Sequence, residues 1–286
     1  MLSLDEAYRA VADGGVVCVE HEPAQRLSRL AGPQRVWFLQ NTITADLEAA
    51  SPGDVVESCL LDEKGRVFAH FYCGVTDEEI WISDEPAYGP RLADWFVSRR
   101  FRTKVEIEPL DETLLTWVGL REEAFAPPSF PRTLGEVPIV DRFGGEDVPD
   151  APIGLLELLR IEGGVPRYGV DYDERTLPQE AGLTRTLAME KGCYVGQETV
   201  ARIHFRGHIN KVLRTLRFDR AIPAGTELML DGENVGRVTS VADSPRFGPI
   251  GIGMARAELA EDTALVAGEA AATLGPLPEG TKVKTS

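Results

Sequence analysis

Lys191-Gly192-Cys193-Tyr194-Val195-Gly196-Gln197-Glu198 places one thiol between two glycines and follows it with an aromatic ring, an amide and a carboxylate. Glycine permits tight turns and close backbone approach, so a cysteine held this way can reach a bound ligand. Lys191, two residues earlier, is placed to favour the thiolate by electrostatics, which is what separates a reactive sulfur from an inert one. The chemistry open to such a thiol is nucleophilic, redox or metal-donating. The plainer alternative is a buried cysteine in a turn before a helix, since free cysteine is among the most buried residue types.

The rest of the composition narrows the setting. In 286 residues, 43% of them hydrophobic, the length suggests two domains with substantial cores. Lys and Arg number 30 against 46 Asp and Glu, a net charge of -16, which argues against binding to nucleic acid or to an anionic membrane surface. The start, Met1 to Glu6, is acidic where a secretory signal is basic, and no apolar run approaches membrane-spanning length, so a cytoplasmic protein is expected. The other cysteines, Cys18, Cys59 and Cys73, lie in apolar, strand-like runs without Cys-x-x-Cys spacing, so they read as reduced core residues.

Outward from the motif toward the N-terminus, Ser3 and Glu6 have capping-box spacing for a helix over 4–13 that Gly14-Gly15 stops. Pro33 suits a first helical turn leading to Trp37, Phe38 and Leu39, and Thr42, Thr44 and Asp46 read as caps of a second short turn. Two strand-like runs, 55–61 and 66–75, flank Asp62-Glu63-Lys64-Gly65 and predict a β-hairpin with positive φ at the glycine. Strands at 80–83, 105–107 and 114–120 and a helix over 90–100 follow, in which Arg99, Arg100, Arg102 and Lys104 read as helix-dipole partners in water. Residues 122–152, rich in proline, predict a long irregular connection, and 153–161 a helix stopped by Gly163-Gly164.

Between that helix and the motif, Arg167 to Asp171 and Pro178 to Leu183 look like backbone built around a ligand. Glu180, held by rigid backbone, can accept two parallel charge-assisted hydrogen bonds from an amidine-like edge such as that of a pterin, or it is a loop carboxylate in water. Beyond the motif, 200–218 carries Arg202, Arg206, Lys211, Arg214 and Arg217 and no acid, either a seat for an anionic tail or the outward face of a strand pair. His204 and His208 have zinc-helix spacing, but Gly207 and the β-branched neighbours argue against a helix, so no metal pair is expected. Short strands at 212–218, 227–230, 235–241 and 250–255, closed by 260–274, predict a small barrel or sandwich, with 276–286 frayed.

With these residues in place, the chain resembles the YgfZ family, folate-binding relatives of the glycine-cleavage aminomethyltransferases that serve iron-sulfur cluster assembly or repair. The family hallmark Lys-Gly-Cys-Tyr-x-Gly-Gln-Glu is complete at 191–198. Leu159-Arg160-Ile161-Glu162 through Gly182-Leu183 support it, with weaker matches at Phe38-Leu39-Gln40 and Lys64-Gly65-Arg66. The resemblance implies an α+β, aminomethyltransferase-like folate-binding fold with a ferredoxin-like portion, two intertwined subdomains over 1–207, then a C-terminal antiparallel β-barrel over 208–286. It implies a tetrahydrofolate (or one-carbon derivative) as cofactor, with Glu180 matching the pterin-binding glutamate, Tyr168 in the neighbouring loop, and Tyr194, Gln197 and Glu198 beside the ligand. The functional cysteine falls on Cys193, with Lys191 as its companion. Partners implied are iron-sulfur proteins or cluster carriers, with no nucleic acid and no membrane.

Where the aminomethyltransferases carry an aspartate pair, this chain has Ala69 and His70. Without that carboxylate the electrostatic and proton-transfer help for aminomethyl transfer is missing. Three readings therefore stand side by side: an iron-sulfur assembly or repair factor, a folate-dependent aminomethyltransferase or demethylase, and a non-catalytic protein-binding scaffold. The first expects the sulfur of Cys193 and the acid of Glu180 to open onto one hollow shaped for a pterin.

Overall fold

The computed structural model describes residues 1–21, 25–85, 92–120, 128–145 and 147–281, apart from the side chain of Arg206. They form two compact units. The first comprises residues 1–62, 68–156 and 186–195, and the second 63–67, 157–185 and 196 onward.

The first unit opens with α1 (Leu4–Ala12), whose capping box is formed in full. Ser3 Oγ accepts from Glu6 N at 3.3 Å, and the Glu6 carboxylate accepts from Ser3 N at 2.9 Å. There follow β1 (Val17–Glu20), β2 (Arg26–Ala31), α2 (Arg35–Gln40), β3 (Val55–Leu61), β4 (Val67–Val75), β5 (Glu79–Asp84), α3 (Leu92–Arg99), β6 (Glu106–Leu110), β7 (Leu114–Val118), β8 (Ser129–Leu134) and β9 (Val137–Phe143). A five-stranded sheet runs β3-β4-β5-β2-β6 and a four-stranded sheet β1-β7-β9-β8. Leu27, Leu114, Phe130 and Phe143 pack between the sheets, and Gly74 belongs there because a Cβ would sit 2.4 Å from the Phe130 ring. On the opposite face of β4, Phe71 meets Phe96 of α3 edge-on at 6.4 Å, and Phe38 of α2 meets the same ring at 5.8 Å. β3 and β4 pair as the predicted hairpin, whose tip, 63–67, belongs to the second unit and has Gly65 at φ +76.

Two expectations change in this unit. The stretch 122–152 is not irregular throughout, since 129–143 forms the β8–β9 hairpin; residues 121–127 and 146 lie outside the described residues. Its prolines are tolerated because β8 is the edge strand, where Pro131 forfeits no ladder bond, and Pro138 stands at the start of β9. Of the residues expected to cap a short turn, Asp46 does so, accepting from Glu48 N, and Thr44 does not. Thr44 is fully buried and its Oγ1 accepts from Cys59 N at 2.9 Å, while Asp46 accepts from the Gln40 amide at 2.9 Å and from Glu48 N at 3.1 Å.

In the second unit, the end of α4 (Gly154–Glu162) leads through turns to α5 (Gln197–Arg206), and then β10 (Lys211–Phe218), β11 (Glu227–Leu230), β12 (Glu233–Ser244), β13 (Gly248–Arg256), β14 (Ala264–Ala267) and β15 (Ala270–Leu274). The last six close into a barrel, β10-β13-β12-β11-β14-β15, sealed by β10 against β15. Leu216, Leu228, Val238, Leu265 and Leu274 fill it, so it is a packed core. Arg160 ties α4 to the barrel. It donates to Asp171 at 2.8 Å, to Glu157 at 2.5 and 2.7 Å and to Ser240 Oγ at 2.8 Å, while Asp171 also accepts from Thr239 and Ser240. The expected strand pair over 200–218 is corrected: 200–206 is the helix α5, and the strand starts at Lys211. Val200 and Ile203, three apart, turn apolar side chains to one side, and that burial outweighs their β-branched propensity.

Candidate functional site

The motif is divided between the units: Lys191, Cys193 and Tyr194 belong to the first, Gln197 and Glu198 to the second. In the first unit, Gln40 builds the platform for it. The Gln40 side chain donates to Asp46 and accepts from Leu47 N at 2.8 Å, while Ser58 Oγ takes Ala45 N at 3.1 Å. This fixed loop presents the carbonyls of Ile43 and Ala45, and Lys191 Nζ donates to both at 2.6 Å. The same ammonium stands 5.2 Å from the centroid of the Tyr194 ring. Half-burial pulls the Lys191 pKa down to about 8 against the opposing charges of Asp46 and Glu48.

Tyr194 is buried and its hydroxyl has no hydrogen-bond partner among the described residues. Burial, with a smaller contribution from Cys59, pushes it up to about 12, so it is a neutral phenol at physiological pH. Beside it, Cys59 Sγ and Thr186 Oγ1 share a hydrogen bond of 3.4 Å. Against this buried background Cys193 is exposed, whereas Cys18, Cys59 and Cys73 are buried. A Cβ built on Gly192 would meet nothing within 4 Å, so the backbone beside the thiol is open. Of the three chemistries the sequence left open, exposure serves each, since each needs the sulfur to reach a second molecule.

Ala69 and His70 also lie in this unit, on opposite faces of β4. Ala69 is fully buried and can move no proton; His70 Nε2 and Glu57 Oε1 are 2.8 Å apart.

In the second unit, Pro178 starts the turn that holds Glu180. The Glu180 Oε2 accepts from Leu177 N at 3.1 Å and the Glu180 carbonyl accepts from Leu213 N at 2.8 Å, which fixes the residue to β10. The second carboxylate oxygen accepts nothing among the described residues, and the residue is half-buried. Tyr168 is buried edge-on against Tyr172 at 5.5 Å, and burial together with Glu174 and Asp173 raises its pKa. Gln197 and Glu198 form the first turn of α5 behind Gly196, where an exposed carboxylate also suits the helix dipole. The hairpin tip packs on this helix start, because a Cβ on Gly65 would stand 3.0 Å from the Thr199 side chain.

His204 and His208 do not share a helix face as their spacing would require for a zinc pair. His204 is helical, contrary to expectation, but His208 lies beyond the C-cap Gly207. No cluster of three metal-ligating side chains occurs among the described residues. No sequence signal points to the platform under Lys191, and Arg214, only 2% exposed, is not on the outward face that was one of the two readings of its basic run.

The architecture is that of the aminomethyltransferases. It superposes on the glycine cleavage system aminomethyltransferase T of Bartonella henselae with a TM-score of 0.79 over 94% of this chain and 88% of that one, at 19% identity. Residues 211–273 match the glycine cleavage T-protein C-terminal barrel domain. Among curated proteins the chain is similar to a putative chloroplastic transferase of Arabidopsis thaliana, 24% identical over 277 residues, 82% of this chain and 64% of that relative's length. It is also similar to the aminomethyltransferase of Thermotoga petrophila, 26% identical over 262 residues, 76% of this chain and 72% of that one. No helix among the described residues is long and apolar enough to cross a membrane.

Proposed function

We propose that this chain is a cytoplasmic tetrahydrofolate-binding protein that assists the assembly or repair of iron-sulfur clusters, with Cys193 as its working thiol. The observation that carries the reading is the exposure of Cys193, alone among four cysteines, inside the complete Lys-Gly-Cys-Tyr-x-Gly-Gln-Glu motif. The aminomethyltransferase-like fold supports the folate. The residues of the second unit fit a pterin's amidine edge. Glu180 is held by Leu177 and Leu213 with one carboxylate oxygen left to accept, and such charge-assisted bonds are about twice as strong as neutral ones. When bound, the folate would supply a one-carbon carrier.

Against aminomethyl transfer as the main activity stands Ala69, a methyl group in the core where the relatives by resemblance have an acid. Lys191 holds the thiol's loop to the carbonyls of Ile43 and Ala45, and so positions the sulfur. The test is complementation of a strain lacking the protein, read as the activities of its iron-sulfur enzymes. Wild type restores them and Cys193→Ala does not; equal restoration by both removes the thiol from the function. Turnover of an aminomethyl or methylamine donor by the purified protein would instead favour the transferase.

A further inference from the structure

The tail beyond β15, expected to fray, is laid against the second unit over 276–281; residues 282–286 lie outside the described residues. Its start is pinned. Gly275 N donates to Thr215 O at 2.9 Å, and the buried guanidinium of Arg214 donates from Nη2 to Gly275 O and from Nη1 to Leu259 O at 2.6 Å. Leu277 then packs on the cluster of Ile209, Val212 and Ala257. Pro278 to Thr281 form a turn, closed by Thr281 N donating to Pro278 O at 3.2 Å, with Gly280 at φ +73 where a type II turn needs a positive value.

This turn is seated on the residues that follow Glu180. A Cβ built on Gly182 would stand 3.1 Å from the Pro278 ring, and one built on Gly280 would stand 3.0 Å from Thr184 Cγ2. Neither glycine has room for a side chain, so the two segments fit closely. The Oγ1 atoms of Thr184 and Thr281 are both closed to solvent. Glu180 itself is held through its own backbone and carboxylate by Leu213 N and Leu177 N, and the tail braces the next four residues.

We infer that residues 276–281 are a strap across the turn that carries Glu180, and that the carboxylate keeps its binding position only while the strap is seated. The hold of the strap on the turn is independent of what Glu180 binds, whereas its effect on affinity rests on the folate reading. A cleft of about 280 Å³, lined by Ala181, Gly182, Leu213, Ile252, Leu277 and Pro278, separates turn, tail and barrel. The strap therefore bridges the turn at a few contacts and lifts from them without opening the barrel core. The coupling is reciprocal: a ligand that needs the seated turn also holds the strap down, and whatever draws the tail away weakens the site.

The test is amide hydrogen exchange of the full-length protein, wild type against Leu277→Ser. It is read at Ala181, Gly182 and Leu183, whose amides donate to Leu177 O, Gln179 O and Pro178 O, and at Gly225 and Val238 as barrel controls. The variant should exchange about tenfold faster at 181–183, leave the barrel amides within about twofold, and bind tetrahydrofolate severalfold more weakly. In wild type, saturating tetrahydrofolate should slow exchange of the Thr281 amide severalfold. Should Leu277→Ser not fold, Pro278→Ala, which removes the ring that meets Gly182, should raise the same exchange severalfold. Unchanged exchange at 181–183, or an equal rise in the barrel, would overturn the strap, the second by showing that the tail only adds to overall stability. Faster exchange at 181–183 with tetrahydrofolate affinity unchanged, or a Thr281 amide indifferent to the bound ligand, would overturn the coupling. If wild type binds no tetrahydrofolate, the folate reading fails and the exchange at 181–183 still decides the strap.

Discussion

Treating the native protein with a thiol reagent separates Cys193 from the other three cysteines by a margin that the structure sets. Cys18, Cys59 and Cys73 are 1%, 0% and 0% exposed, while Cys193 is on the surface. Burial drives the Cys18 thiol up to about 11, with Asp150 and Asp147 adding to it, and burial alone raises Cys73 further. At pH 8 a thiol with a pKa of about 11 is ionised in roughly one molecule in a thousand. So small a thiolate fraction slows Cys18 by itself, before the opening that any buried sulfur needs to meet a reagent. In a stopped-flow assay with an aromatic disulfide at pH 8, one equivalent per chain should react in a fast phase and the other three only in denaturant. Cys193→Ser should abolish the fast phase. A fast phase larger than one equivalent, or one that survives in Cys193→Ser, refutes the reasoning.

The remaining predictions concern stability. Because the Lys191 pKa is lowered from 10.5 to about 8 in the folded state, the unfolded chain binds the extra proton between those values. Wild type should therefore gain stability relative to Lys191→Met as pH rises from about 8 to 10.5, with a ceiling of about 3 kcal/mol because the two carbonyls favour the charged form. Urea titrations at pH 7.5 and 10 with no difference between the two proteins would contradict this. Gly65→Ala forces a side chain to φ +76 and to 3.0 Å from Thr199, and should lower stability by about 1–3 kcal/mol; a neutral result would mean that the hairpin tip does not pack on α5. Asp171→Ala removes one of the two carboxylates paired with Arg160 and an acceptor of the Thr239 and Ser240 hydroxyls while Glu157 still pairs with the guanidinium, and about 1–3 kcal/mol should be lost in urea unfolding. A loss below about 1 kcal/mol would show the network to be replaceable.

Much of the scaffold was legible because its signals are local. The Ser3–Glu6 capping box, the Gly65 turn and the short strands of the barrel each depend on residues a few positions apart, and each formed where expected. Misreadings arose where tertiary burial overrode a local rule. Thr199, Val200 and Ile203 suggest a strand by propensity, but Val200 and Ile203 share one buried side of a helix. Pro131 and Pro138 suggest a loop, but an edge strand and a strand start accept them. Arg214 suggests a solvated charge from its basic neighbours, yet barrel closure buries it. The site residues were nameable one by one, while their surroundings were not. The acceptors of Lys191 lie 148 and 146 positions away in the chain, and no spacing rule reaches that far.

The central claim, that this chain takes a folate through the carboxylate of residue 180, is tested most directly by calorimetric titration of tetrahydrofolate into wild type and Glu180→Gln. The substitution keeps the side chain's shape and removes its charge. Saturable binding to wild type, weakened about tenfold or more in Glu180→Gln, is the predicted result. Equal affinity for the two proteins, or no binding to wild type, would contradict the account.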